Sequence, residues 1–166
     1  MFTIFLFALV AGSVHGQNPC PEYYDLAPSG TICFYFEKGE TSSYLGAEQA
    51  CIATGGHLAT IVNAYDGDFL TRLVEGKSDM SGKPSNYWIG ANLLMSPTWA
   101  WSSGQQMSYS NWAPNQPTDP SANSCGAVNA DNNLWTKELC YSKKVYACSA
   151  VPNSGQGHMK FKGNRF

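Results

Sequence analysis

An α+β domain is the fold class this 166-residue chain predicts, on three observations. Two helical patterns come first, and short β-prone runs broken by turn residues follow after Pro84, which segregates helices from strands instead of alternating them. The segment 111–132, rich in amides and holding Pro114, Pro117 and Pro120, reads as one long surface loop. Six cysteines lie beyond residue 16, an even number suited to stapling such a fold with disulfides.

The elements follow in order. Ser42 or Ser43 caps a first helix in which Leu45, Ala47, Ala50, Cys51 and Thr54 recur at helical spacing, and Gly55-Gly56 supplies the left-handed stop. Leu58-Ala59-Thr60-Ile61 reads as a short extended link. Asn63, with Asp66 three residues later, opens a second helix whose Phe69, Leu70, Leu73 and Val74 form an apolar stripe closed near Gly76. The candidate strands are Tyr87-Trp88-Ile89-Gly90-Ala91, Trp99-Ala100-Trp101, Cys125-Gly126-Ala127-Val128, Asn133-Leu134-Trp135 and Val145-Tyr146-Ala147-Cys148. No internal repeat is present, and a Gly- and Asn-rich tail, 150–166, is expected to lack regular structure.

Composition narrows the function classes. With 13% charged residues, 13% aromatic residues and a formal charge of −2, the chain suits a compact domain and lacks the clustered basic face of a nucleic-acid binder. The cations between Lys160 and Arg165 sit among Gly and Asn and read as a solvated end. Residues 1–16 read as a secretory signal: 2–10 are apolar except Thr3, and the cut falls after Val14-His15-Gly16, although no Lys or Arg precedes the run. That run is shorter than the ~18–20 apolar residues of a bilayer span, so an extracellular protein with no membrane span is expected. The domain itself is assigned to 17–149. In a secreted chain Cys20, Cys33, Cys51, Cys125, Cys140 and Cys148 read as three disulfides, with about 15 pairings open to counting alone. Zinc is disfavoured because even the nearest two, Cys140 and Cys148, exceed the usual ligand step.

Over about residues 20–149 the chain resembles the C-type lectin-like domain family. The resemblance rests on Ala47-Glu48-Gln49-Ala50-Cys51 at the end of the first helix, followed by Gly55-Gly56-His57-Leu58-Ala59-Thr60-Ile61. Trp88-Ile89-Gly90, Trp101-Ser102-Ser103-Gly104, Asn111-Trp112 and the closing Trp135, Cys140 and Cys148 continue it in the family's order. Tyr44 departs from the family's frequent Trp. The resemblance implies a fold of two helices, small antiparallel sheets and a long loop. It also implies the pairing Cys51–Cys148, Cys125–Cys140 and, as in longer members, Cys20–Cys33.

The family's sugar-binding members hold calcium between a Glu-Pro-Asn or Gln-Pro-Asp tripeptide in the long loop and an Asn-Asp pair after the strand tryptophan. Here the tripeptide position reads Gln116-Pro117-Thr118, a galactose-type start whose carboxylate is replaced by a hydroxyl. Calcium-binding relatives hold the corresponding proline cis; without the ion the trans form competes. Asn123 and Ser124 are neutral where a Glu is frequent, and Thr136 and Lys137 stand in place of Asn-Asp, in a register fixed by Trp135 and Cys140. A divalent ion needs six to eight hard oxygens, carboxylates among them. An ammonium ~4 Å from it costs several kcal/mol even at an effective dielectric near 20. No cofactor is therefore expected, and the aligned calcium site is read as degenerate. Lys137 is expected to occupy the space and hydrogen bond to Gln116 or Asn123. Asp119 and Asp131, both near turns, read as backbone caps.

Other chemistry finds little support. His57 reads as a core or supporting histidine, and no nucleophile, paired carboxylates or Asn-x-Ser/Thr acceptor stands out. Trp88, Trp99, Trp101 and Trp135 are expected in the core, with Trp112 at the loop mouth facing a ligand and Tyr109 a weaker candidate. The expected function is a non-catalytic recognition module that binds a glycan or an extracellular protein through the long loop. An ordinary calcium-dependent lectin is the competing reading.

Overall fold

The computed structural model describes residues 18–78, 82–118, 121 and 123–153. The expected signal segment, Asp119 and most of the C-terminal tail lie outside these residues. The elements run β1 (Asp25–Leu26), β2 (Cys33–Ser42), α1 (Tyr44–Ala53), β3 (His57–Leu58), α2 (Ala64–Lys77), β4 (Asn86–Asn92), β5 (Ala100–Trp101), β6 (Ser124–Asn129), β7 (Trp135–Leu139) and β8 (Lys144–Ala150).

Both helices start where their caps predict. The Ser43 hydroxyl accepts from Gly46 N–H at 3.4 Å, and Asn63 Oδ1 accepts from Asp66 N–H at 2.9 Å. Past α1, Gly55 takes φ +87°, its N–H donates to Ile52 O, and Gly56 N–H donates to Cys51 O. These paired bonds satisfy the orphan carbonyls of the last turn and turn the chain sharply into β3. Gly76 lies inside α2, and the helix closes at Ser78, which donates to Val74 O and Glu75 O. That is two residues later than the sequence suggests, because Gly76 does not take the positive φ of a left-handed stop and stays within the helix.

The strands form one sheet in the order β1-β2-β8-β4-β6-β7, with β3 also on β8 and β5 on β4. All pairs are antiparallel except β4 with β8. Two expectations need correction. The expected order of helices before strands fails, because β2, ten residues long, precedes α1 and pairs with β8 from Cys33↔Ala150 to Glu37↔Tyr146. Asn133-Leu134 lie in a turn, Asn133 at φ +59°, so β7 starts at Trp135 and carries Thr136 and Lys137 inside the strand. Ala150 is buried as the last residue of β8, and Asn153 N–H donates to Pro19 O at 2.6 Å, so packing continues past residue 149.

The three disulfides pair as the resemblance implies, Cys20–Cys33, Cys51–Cys148 and Cys125–Cys140. One apolar cluster gathers Phe34, Ile61, Leu70, Val74, Ile89, Val128 and Trp135; a second gathers Tyr44, Cys51, Leu58, Trp88 and Cys148. Tyr44 is buried, packs edge-on to Trp88 at 5.8 Å, and donates its hydroxyl to Gly90 O at 2.7 Å. Burial pushes its phenol up, which keeps that donor protonated.

Gly90 is where β3 crosses β4 at closest range. Its N–H donates to Ala59 O, and a Cβ there would stand 2.7 Å from Leu58 O and 3.0 Å from Ser102 Oγ. A backbone oxygen cannot step aside as a flexible side chain can. Gly90→Ala is therefore expected to lower stability by about 1–3 kcal/mol in urea unfolding, through overpacking. A loss under a few tenths would mean the crossing is loose.

Candidate functional site

Trp135 positions the long loop, which runs from β5 to β6. Its N–H donates to Asn111 O at 2.8 Å, and its carbonyl accepts from Ala113 N–H at 2.9 Å. The Asn111 side-chain amide adds a 2.7 Å bond to Asn133 O. Around the buried indole, Trp101, Tyr109 and Trp112 pack edge-on with centroids 5.6, 5.8 and 5.6 Å away. One strand residue thus fixes the loop by both backbone and ring contacts.

Trp112 does not stand free at the loop mouth. It is half-buried, wedged between Trp135 and Trp99, whose centroid lies 4.6 Å away. Its position is that of a pin for the loop, and Tyr109 shares the role.

From Ala113 the chain turns tightly, with Gln116 N–H donating to Ala113 O and Asn115 at φ +63°. The Gln116–Pro117 bond is cis. This turn aims the Gln116 side chain at β7, where Oε1 accepts from the Lys137 backbone N–H at 3.0 Å. Gln116 and Lys137 are thus brought together, but through the main chain of Lys137 and not through its ammonium. Among the named strands of the described residues β7 pairs with β6 alone, so its outward amides are free to bond the loop.

The remaining expected residues are more dispersed. Thr136 donates its hydroxyl to Glu138 Oε1 at 3.4 Å, and Glu138 Oε2 lies 3.4 Å from Lys144 Nζ, itself 5.2 Å above the Trp88 ring. Thr118 and Asn123 are exposed; the Asn123 carbonyl accepts from Cys140 N–H at 3.1 Å beside the Cys125–Cys140 bridge. No hydrogen bond joins either side chain to Gln116 or Lys137 among the described residues. Gln116, Thr118 and Thr136 offer neutral oxygens, and Lys137 offers an ammonium.

Two acids escaped the sequence reading. Glu138 accepts the Thr136 hydroxyl, and alternation along the strand could have placed it on the face of Thr136. Glu48 holds His57: Nδ1 lies 2.5 Å from Glu48 Oε1, while Oε2 accepts Leu58 N–H at 2.8 Å. His57 therefore ties β3 to α1, the supporting role its position suggested.

A model of the lectin C-type domain matches residues 40–150. The chain belongs to the C-type lectin domain family. Among relatives within that family, the galactose-specific lectin nattectin of Thalassophryne nattereri is 31% identical over 156 residues, covering 89% of this chain and 94% of nattectin. Human C-type mannose receptor 2 is 29% identical over 140 residues, which is 83% of this chain but 9% of the receptor. The structure of a calcium-independent type II antifreeze protein superposes with TM-score 0.68 at 25% identity, covering 83% of this chain and 98% of that one. Family and fold thus agree with the resemblance drawn from the sequence. No helix among the described residues is long and apolar enough to cross a membrane.

Proposed function

We propose that this C-type lectin domain is a secreted, non-catalytic recognition module that binds a glycan or an extracellular protein through its long loop without the family's usual calcium ion. The carrying observation is the Gln116–Lys137 contact. The side-chain oxygen that would face the ion instead receives a main-chain N–H, on a residue whose side chain carries a positive charge. Gln116, Thr118, Thr136 and Lys137 include no carboxylate, so the donor set does not fit a hard divalent cation. Secretion is supported by the apolar N-terminal run and by three disulfides with no free cysteine among the described residues, a pattern of oxidising compartments. The galactose specificity in nattectin's name, with the galactose-type Gln116-Pro117, makes galactosides the first sugars to try.

The test is a glycan and extracellular-protein array run with calcium and again with chelator. The same ligands are expected in both. Binding that vanishes with chelator would overturn the calcium-free reading and establish the ordinary lectin in its place. Binding to nothing in either condition would overturn the recognition role.

A further inference from the structure

On the flank of the long loop, residues 92–107 enclose a groove of about 580 Å³ that Gln116 and Lys137 do not line. Its walls are fixed by the protein's own bonds. On one side is the turn after β5, where Trp101 N–H donates to Gln105 O at 3.1 Å, Gly104 N–H donates to Trp101 O at 2.9 Å, and Gly104 adopts φ +82°. On the other, Thr98 N–H donates to Ser96 Oγ at 3.2 Å. At the base Asn92 is buried and saturated: its amide donates to the Tyr44 hydroxyl and Gly90 O at 3.0 and 3.1 Å, and its carbonyl accepts Leu94 N–H at 2.9 Å. Such a groove is formed before any ligand arrives, and its volume falls in the range of small-molecule sites.

The lining selects the ligand. None of the described lining residues carries a charge, so an ionic group entering the groove would lose water and find no partner there. Trp99 contributes an indole whose N–H is buried and meets no acceptor among the described residues. Gln105 and Gln106 are exposed, and each carboxamide offers both a donor and an acceptor. An aromatic surface beside neutral amides suits a molecule with an apolar C–H face and a rim of hydroxyls that both donate and accept. That molecule is a sugar ring.

We propose that this groove binds an uncharged pyranose directly, with no metal ion, as a second site separate from the Gln116–Lys137 turn. The inference deepens the recognition reading above and rests on it. The experiment is a titration of the ¹⁵N-labelled full-length protein, with chelator present, by the methyl glycosides of galactose, glucose and mannose. The Trp99 indole N–H and the Gln105 and Gln106 amide signals are expected to shift together and saturate with at least one of them. Gln105→Ala with Gln106→Ala alters only exposed side chains. It is expected to weaken that binding about tenfold, a loss in the range of two hydrogen bonds. Gln116→Ala is expected to leave it unchanged.

Shifts confined to the neighbourhood of Gln116 would overturn the groove and leave the recognition reading standing. So would a methyl glycoside that shifts the Trp99 signal and that the Gln105/Gln106 double variant still binds at full strength. No shift with any of the three glycosides, or saturation by a peptide in their place, would likewise remove the sugar assignment. Silence on the array removes the recognition reading instead.

Discussion

Replacing Cys51 and Cys148 together by alanine is expected to lower the stability of the domain by about 4–5 kcal/mol in the chain-entropy account. The bridge closes a loop of 97 residues, the widest of the three, and so removes the most freedom from the unfolded chain. Both half-cystines are fully buried. One lies in the last turn of α1, just before the Gly55-Gly56 stop turns the chain, and the other lies in β8 opposite Tyr35 of β2 and Leu58 of β3. Domains of this size hold only ~5–15 kcal/mol in total, so the variant should be partly unfolded at 37 °C. Removing Cys20–Cys33, which spans 13 residues, should cost about 3 kcal/mol by the same reasoning. Urea unfolding of the two variants side by side checks both the sizes and their order. If the Cys20–Cys33 pair proved the costlier, loop entropy would not be what these bridges contribute, and strain or local packing would have to replace it.

What the sequence made legible was whatever is decided locally. Ser43 and Asn63 cap their helices because a side-chain oxygen two to three residues away is the nearest partner for the first free amides. Gly55 stops α1 because its backbone accepts a left-handed turn at no steric cost. The strand β2 was missed because only its first half, Phe34 and Phe36 around Tyr35, alternates as a strand should. Its second half, Glu37 to Ser42, is polar and pairs irregularly. What holds it extended is β8, more than a hundred residues away, and no local pattern reports that. The same limit explains Trp112. Its place at the start of the loop was readable, but the ring of Trp99 that covers it comes from a separate turn. At position 137 the expected contact with Gln116 exists, but an edge strand offers its backbone N–H to the loop before its side chain is needed.

Rebuilding the ligands at that contact is the stronger test of the calcium-free reading, because a gain of function cannot be produced by damage. The variant combines Gln116→Glu, Thr118→Asn, Thr136→Asn and Lys137→Asp. Gln116→Glu changes the local charge by one negative unit and Lys137→Asp by two, a total of three in favour of a cation. Each unit charge ~4 Å from another is worth about 4 kcal/mol at an effective dielectric near 20, and a divalent ion doubles that. Even after the carboxylates lose part of their hydration, calcium affinity should rise by at least about a hundredfold from a starting point weaker than millimolar. The frame for this exists, since Gln116 Oε1 already reaches the backbone of residue 137. Lys137→Ala alone should gain little, because it removes a repulsion without adding a ligand. Calorimetric titration of the unmodified chain, Lys137→Ala and the fourfold variant separates the cases, with the dispersion of amide signals confirming that each is folded. Tight calcium binding by the unmodified chain would reverse the functional reading. A folded fourfold variant that binds no better than the parent would show that the loop around Gln116 is not a lectin calcium frame that has lost its carboxylates.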